Sequence, residues 1–217
     1  RDFISNSVAS TALEKWAAGR IMPWTMSQAN SSVRAPAVAG TFYPGESREL
    51  AQALTDMLGA AAHDAPERAV PKAIIAPHAG YIYSGPIAAS VYALLAPARR
   101  SITRVVLLGP THRVAVRGLA LPGCSAFATP LGTVEIDSAA VEALRNLTQV
   151  VVSPQAHALE HSLEVHVPFL QTTIEKFTLV PLAVGDTGAQ EVAEVLDALW
   201  GGPETLIVVS SDLSHYL

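Results

Sequence analysis

Short aliphatic runs closed by Pro, Gly or Ser recur along the chain: Ala73-Ile74-Ile75-Ala76, residues 104–109, Thr178–Val184 and residues 205–210. Runs of that length and β-branched content read as buried strands. Between them the apolar positions take a helical period. Leu50, Leu54 and Leu58 predict a helix over 46–60, and residues 61–71 a loop. Ile87, Val91, Leu94 and Leu95 give an apolar face to a helix beginning near Ser84 and Pro86. Further helices are predicted over 137–147, capped by Asp137 or Ser138, and over 158–175 and 187–200. Residues 117–136 break into two or three short strands with turns at Pro122-Gly123 and Leu131-Gly132. The stretch 73–109 has the length of a right-handed βαβ unit, whose strands are parallel. The alternation predicts a three-layer α/β/α domain with a largely parallel or mixed central sheet.

The ends depart from this pattern. Residues 1–33 show no clear period and hold Gly, Pro and Ser-Asn clusters, without the basic start and long apolar stretch of a signal peptide. They read as a poorly ordered extension outside the domain, with a natural start at Met22 or Met26. The domain is expected over 34–217, opening with the Pro- and Gly-punctuated segment Arg34–Gly45. The chain ends at Leu217, directly after a strand and its loop, which reads as a truncated C-terminus.

Composition narrows the class. Of 217 residues, half are hydrophobic and 15% charged, as suits one domain with a sizeable core. A net charge of −5 offers no footprint for nucleic acid. No apolar run approaches the roughly 18 residues of a membrane span. The single cysteine, Cys124, excludes an internal disulfide and a Cys-rich zinc site, and fits a reducing, cytoplasmic setting.

The candidate chemistry lies just past the strands. His78 in APHAG, His112 in GPTH, and Asp212 and His215 in SSDLSH each follow an aliphatic run. Side chains beyond the carboxyl ends of parallel strands line the ligand crevice of an open α/β sheet. If the strands before His78 and His112 pair directly, they lie about 4.8 Å apart, and the two imidazoles can converge on one ion at about 2.0–2.2 Å. Asp212 is either a ligand or a carboxylate that fixes the tautomer of a neighbouring histidine. His215 suits a general acid/base. The segment HALEHSLEVH (157–166) is not HExxH, so the metalloprotease helix is absent. On a continuous helix His161 and His166 point to different faces, which leaves His161 and Glu164 a role on the pocket wall. A polar helix face laced with i, i+4 pairs explains the segment equally well. His63 falls in a polar loop. No phosphate-binding glycine motif and no GxSxG elbow is present.

Six segments, RAPAVAGTFYPG, APHAGYIYSG, LLGPTH, EHSLEVHVPFLQ, LVPLAVGD and VVSSDLSHY, occur here in the order found in the Memo family. The opening is most similar to its prokaryotic branch, the AmmeMemoRadiSam system protein B. Animal Memo proteins carry a histidine where this chain has Val38. The resemblance implies a fold related to the class III extradiol dioxygenases, non-haem iron enzymes that cleave catechol rings. It implies that His78 and His112 are metal ligands and that His215, with Asp212 beside it, moves protons at the metal. The family's third ligand, a cysteine in Memo and a glutamate in the dioxygenases, lies further along than Leu217, and Cys124 is not its counterpart. Fe(II) is the implied cofactor, with copper or zinc as alternatives. Tyr83, His161, Glu164 and His166 are expected at the pocket, Tyr83 either in the cleft or packed at its rim. The implied substrate is a small molecule, catechol-like in the dioxygenase reading. Other readings are a peptide-binding module, as animal Memo is associated with phosphotyrosine peptides, and metal-assisted hydrolysis. Gene context in the prokaryotic branch adds AMMECR1 and radical-SAM proteins as expected partners.

Overall fold

The computed structural model describes residues 32–63 and 69–212. His215 and residues 1–31 lie outside the described residues. The elements in order are β1 (Val33–Arg34), α1 (Ser47–His63), β2 (Ala73–Ala76), α2 (Tyr81–Tyr92), β3 (Arg104–Pro110), β4 (Leu119–Leu121), β5 (Ala126–Thr129), β6 (Gly132–Glu135), α3 (Ser138–Ala143), β7 (Val150–Val152), α4 (Pro154–Ala158), α5 (Val167–Thr173), β8 (Thr178–Val184), α6 (Ala189–Leu199) and β9 (Thr205–Ser210). A six-stranded sheet runs β2-β9-β3-β8-β4-β7, and a small sheet runs β1-β5-β6. β2, β9, β3 and β8 are mutually parallel, and β4 turns antiparallel against β8. The large sheet is therefore mixed.

Alternation along the central strands separates two cores. Val105, Leu107, Leu179, Leu206 and Val208 face a layer that includes Leu50, Leu54, Tyr92 and Phe169 from α1, α2 and α5. Val106, Leu108, Val180, Leu182 and Ile207 face Ala140, Val195 and Leu199 from α3 and α6. Strands buried on both faces are near-continuously aliphatic, which is why their sequence runs carry so few polar positions.

Three elements differ from the sequence expectation. α2 starts at Tyr81 and carries Pro86 inside it. Its buried face is Tyr81, Ser84, Gly85, Ala88, Ala89 and Tyr92, while Ile87 is exposed. Small residues let α2 approach α1 closely: a Cβ on Gly85 would stand 2.6 Å from Met57 Sδ. Bulk, which marks buried positions in sequence, is the wrong guide where backbones pack this tightly. The helix expected over 158–175 is instead α4, a bend, a 3-10 turn (Glu164–His166) and α5. β7 completes the sheet edge over a segment left unassigned by its pattern.

Candidate metal centre

β2, β9 and β3 end at one level. Val209 pairs with Ile75 on one side and Leu108 on the other, and Ser210 pairs with Ala76. Two residues beyond these ends stand His78, Asp212 and, past Pro110, His112. β9 lies between β2 and β3, so the strands carrying the two histidines do not pair directly. Their loops lean over the end of β9 instead, and the rings come to 5.2 Å between centroids. His161, in the bend after α4, joins them. Its ring lies 4.6 Å from that of His112, stacked, and 5.7 Å from that of His78. One nitrogen from each of the three falls within 4.8 Å of the others. Small side-chain rotations close such a set onto one ion at metal–nitrogen bonds of about 2.0–2.1 Å.

Hydrogen bonds settle which nitrogens are free. The Ser210 hydroxyl donates its only proton to the Ser162 carbonyl (2.7 Å). His78 Nδ1, 2.7 Å from Ser210 Oγ, must therefore be the donor in that contact. His112 Nδ1 lies 2.9 Å from Glu160 Oε1, and an ionised carboxylate only accepts. Both imidazoles thus carry the proton on Nδ1 and keep the Nε2 lone pair for an ion. Sequence left the anchoring of a histidine tautomer open to Asp212; for His78 it falls to Ser210. Asp212 Oδ1 accepts the His78 backbone N–H (2.8 Å), and its Oδ2 stands 3.7 Å from His78 Nε2.

Glu160 is the residue the sequence did not single out. It is 2% exposed. Its Oε2 accepts the His112 backbone N–H at 2.6 Å, and its Oε1 accepts those of His161 (2.9 Å) and Ser162 (3.0 Å). Burial pushes its carboxyl up, but these donors and the His112 side chain outweigh burial and hold it at about 2. Burial depresses His78 and His161 below the ordinary 6.5, against the opposing pull of Asp212 and Glu160 respectively. Both are neutral at pH 7, as a ligand must be. No composition signal marks Glu160. The only hint is its place immediately before His161.

The remaining predicted residues separate. Glu164 is buried and anchors the opening segment: it accepts from Arg34 Nη1 (2.8 Å), Ala37 N (2.7 Å), Val38 N (3.0 Å) and Tyr43 Oη (2.7 Å). Phe42 of that segment packs on the His161 ring at 4.7 Å and walls the cluster. His166 is buried with Nδ1 2.9 Å from Tyr92 Oη, and its Nε2 has no hydrogen-bond partner among the described residues. Tyr83 is 83% exposed on the first turn of α2. Cys124 donates to the Ala126 carbonyl (3.4 Å), and burial pushes its thiol up, away from nucleophile chemistry.

The architecture and site define an α/β protein with a three-histidine cluster, able to hold a metal ion, at the carboxyl ends of its central strands. Residues 34–217 match the family of Memo-like proteins, and the chain belongs to that family. It is 40% identical over 189 residues to a MEMO1 family protein of Aquifex aeolicus, covering 85% of this chain and 68% of the relative. A MEMO1 family protein of Archaeoglobus fulgidus is 39% identical over 195 residues, covering 85% and 69%. One from Methanothermobacter thermautotrophicus is 35% identical over 198 residues, covering 85% and 70%.

Proposed function

We propose that the chain binds a divalent first-row transition metal through His78, His112 and His161 and serves as a dioxygenase-type redox enzyme using Fe(II) and O₂. The supporting observation is the convergence of three imidazoles, two of them with Nδ1 held as a donor, at the crevice of a parallel sheet. The donor set fits such an ion: imidazole suits iron, copper and zinc, whereas magnesium and calcium prefer oxygen. Bound there, iron would supply Lewis acidity and electron transfer to oxygen. Ser210 and Glu160 hold the His78 and His112 rings by Nδ1 and aim them. Phe42 shields one flank of His161 from water. Asp212, oriented by the His78 backbone, places a carboxylate beside the cluster. His215, three residues on, is assigned proton transfer to or from a small chelating substrate of catechol type.

The test begins with metal content by mass spectrometry on anaerobically purified protein, with a His78→Ala, His112→Ala double variant as control. Near-stoichiometric iron, lost in the control, followed by oxygen uptake with a catechol panel, is the expected result. Metal binding without uptake moves the proposal to metal-assisted hydrolysis. Failure to take up metal even after loading favours the peptide-binding reading, in which the AMMECR1 and radical-SAM proteins are sought as partners.

A further inference from the structure

We infer that Glu160 is the positioning residue of this metal site: one buried carboxylate that aims two of the three ligands at once. The inference rests on the metal reading above and adds a role that neither the motifs nor the family match assigns. Four contacts carry it. Oε2 takes the His112 backbone N–H at 2.6 Å, which fixes the loop beyond β3. Oε1 takes His112 Nδ1 at 2.9 Å, which fixes the ring and its tautomer. The same oxygen takes the His161 and Ser162 backbone N–H groups at 2.9 and 3.0 Å, which fixes the bend that carries the third ligand. It also stands 3.4 Å from His161 Nδ1.

Its carboxylate has no arginine or lysine partner among the described contacts, in contrast to that of Glu164, four residues on, which pairs with Arg34. Among the described residues its oxygens are met by imidazole and backbone donors. Two consequences follow from elementary chemistry. A carboxylate on Nδ1–H raises the basicity of Nε2 and so strengthens the bond His112 makes to an ion. A shared anchor also keeps the stacked His112 and His161 rings in fixed relation, so neither can turn away without breaking contacts of the other. The Ser162 carbonyl carries the same segment to His78, since it receives the hydroxyl of Ser210, which in turn accepts from the His78 ring.

The experiment compares wild type, Glu160→Gln and Thr173→Val. Thr173 donates to the Phe169 carbonyl inside α5 and serves as a destabilising control away from the cluster. Cobalt(II) and zinc(II) affinity are read by competition with a chelating dye, and fold by circular dichroism. The tautomer of His112 is read by ¹⁵N-imidazole NMR on metal-free wild type. Expected are a loss of affinity of about 10- to 100-fold in E160Q, none in T173V, and a His112 Nδ1–H resonance in wild type. Equal affinity in E160Q and wild type overturns the inference and leaves the metal site standing. Absence of metal binding in wild type overturns the metal reading and the inference with it. Should E160Q fail to fold, the wild-type resonance decides: a His112 protonated on Nε2 is incompatible with the role.

Discussion

At the scale of single residues, the site is tight enough that one missing side chain matters. A Cβ on Gly109 would stand 2.9 Å from Leu163 Cδ2 and 3.0 Å from both Ser162 Oγ and Ser210 Cβ. Gly109 is thus what lets the bend that carries His161 press onto the ends of β3 and β9. Gly109→Ala is expected to cost about 1–3 kcal/mol by overpacking, seen as a lower urea midpoint, and to weaken cobalt binding as Ser162 and Ser210 are pushed apart. His161→Ala and His166→Ala separate two histidines that the sequence treats alike. The first should lower cobalt(II) affinity at least about tenfold while leaving the unfolding midpoint near wild type. The second leaves Tyr92 Oη unpartnered in the core and should destabilise by roughly 1–3 kcal/mol without changing cobalt affinity. Equal cobalt affinities of the two variants would show that His161 is not a ligand.

At the scale of elements, the bend between α4 and α5 decides the function. The 158–175 segment looks helical because its apolar residues recur at helical spacing. Glu160 breaks it by drawing the His161 and Ser162 N–H groups out of the helical ladder, a competition that periodicity does not register. On a straight helix His161 would lie against the pocket wall; on the bend it reaches His112. The bend is in turn strapped to the opening segment. Arg34 donates to the carbonyls of His157 and Glu160, both at 2.7 Å, and pairs with Glu164 at 2.8 Å. Arg34→Met should destabilise the fold by about 3–5 kcal/mol, because it leaves a buried carboxylate without its cation. Adding Glu164→Leu should not restore stability, since the Ala37 and Val38 N–H groups would then lose their acceptor. Recovery of the wild-type melting temperature in the double variant would refute this strap.

At the scale of the whole molecule, stability depends on pH most strongly through two core histidines, beyond the depressed His78 and His161 of the cluster. Burial depresses His157 from 6.5 to about 4 and His166 from 6.5 to about 3. The unfolded chain binds these protons first, so the stability each contributes is full above pH 6.5. It is lost as pH falls through the window down to about 4 for His157 and about 3 for His166. Each group adds a slope approaching 1.4 kcal/mol per pH unit, roughly. Urea midpoints should therefore drop between pH 7 and pH 4.5, and His157→Gln should make that slope shallower. A flat wild-type profile would contradict the neutral burial of both groups.

The central strands, their buried character, the three-layer α/β class and the loops carrying His78, His112 and Asp212 follow from the sequence by itself. Strand periodicity, β-branched runs and Gly-Pro stops are local properties, and the crevice rule places strand-end residues without knowing the strand order. The tertiary structure decided the rest. The insertion of β9 between β2 and β3, the choice of Ser210 rather than Asp212 as anchor for His78, and the arrival of His161 and Glu160 at the cluster all depend on contacts between segments about 50 or more residues apart. Such contacts arise from packing and from hydrogen bonding of buried polar groups, and no period along the chain encodes them.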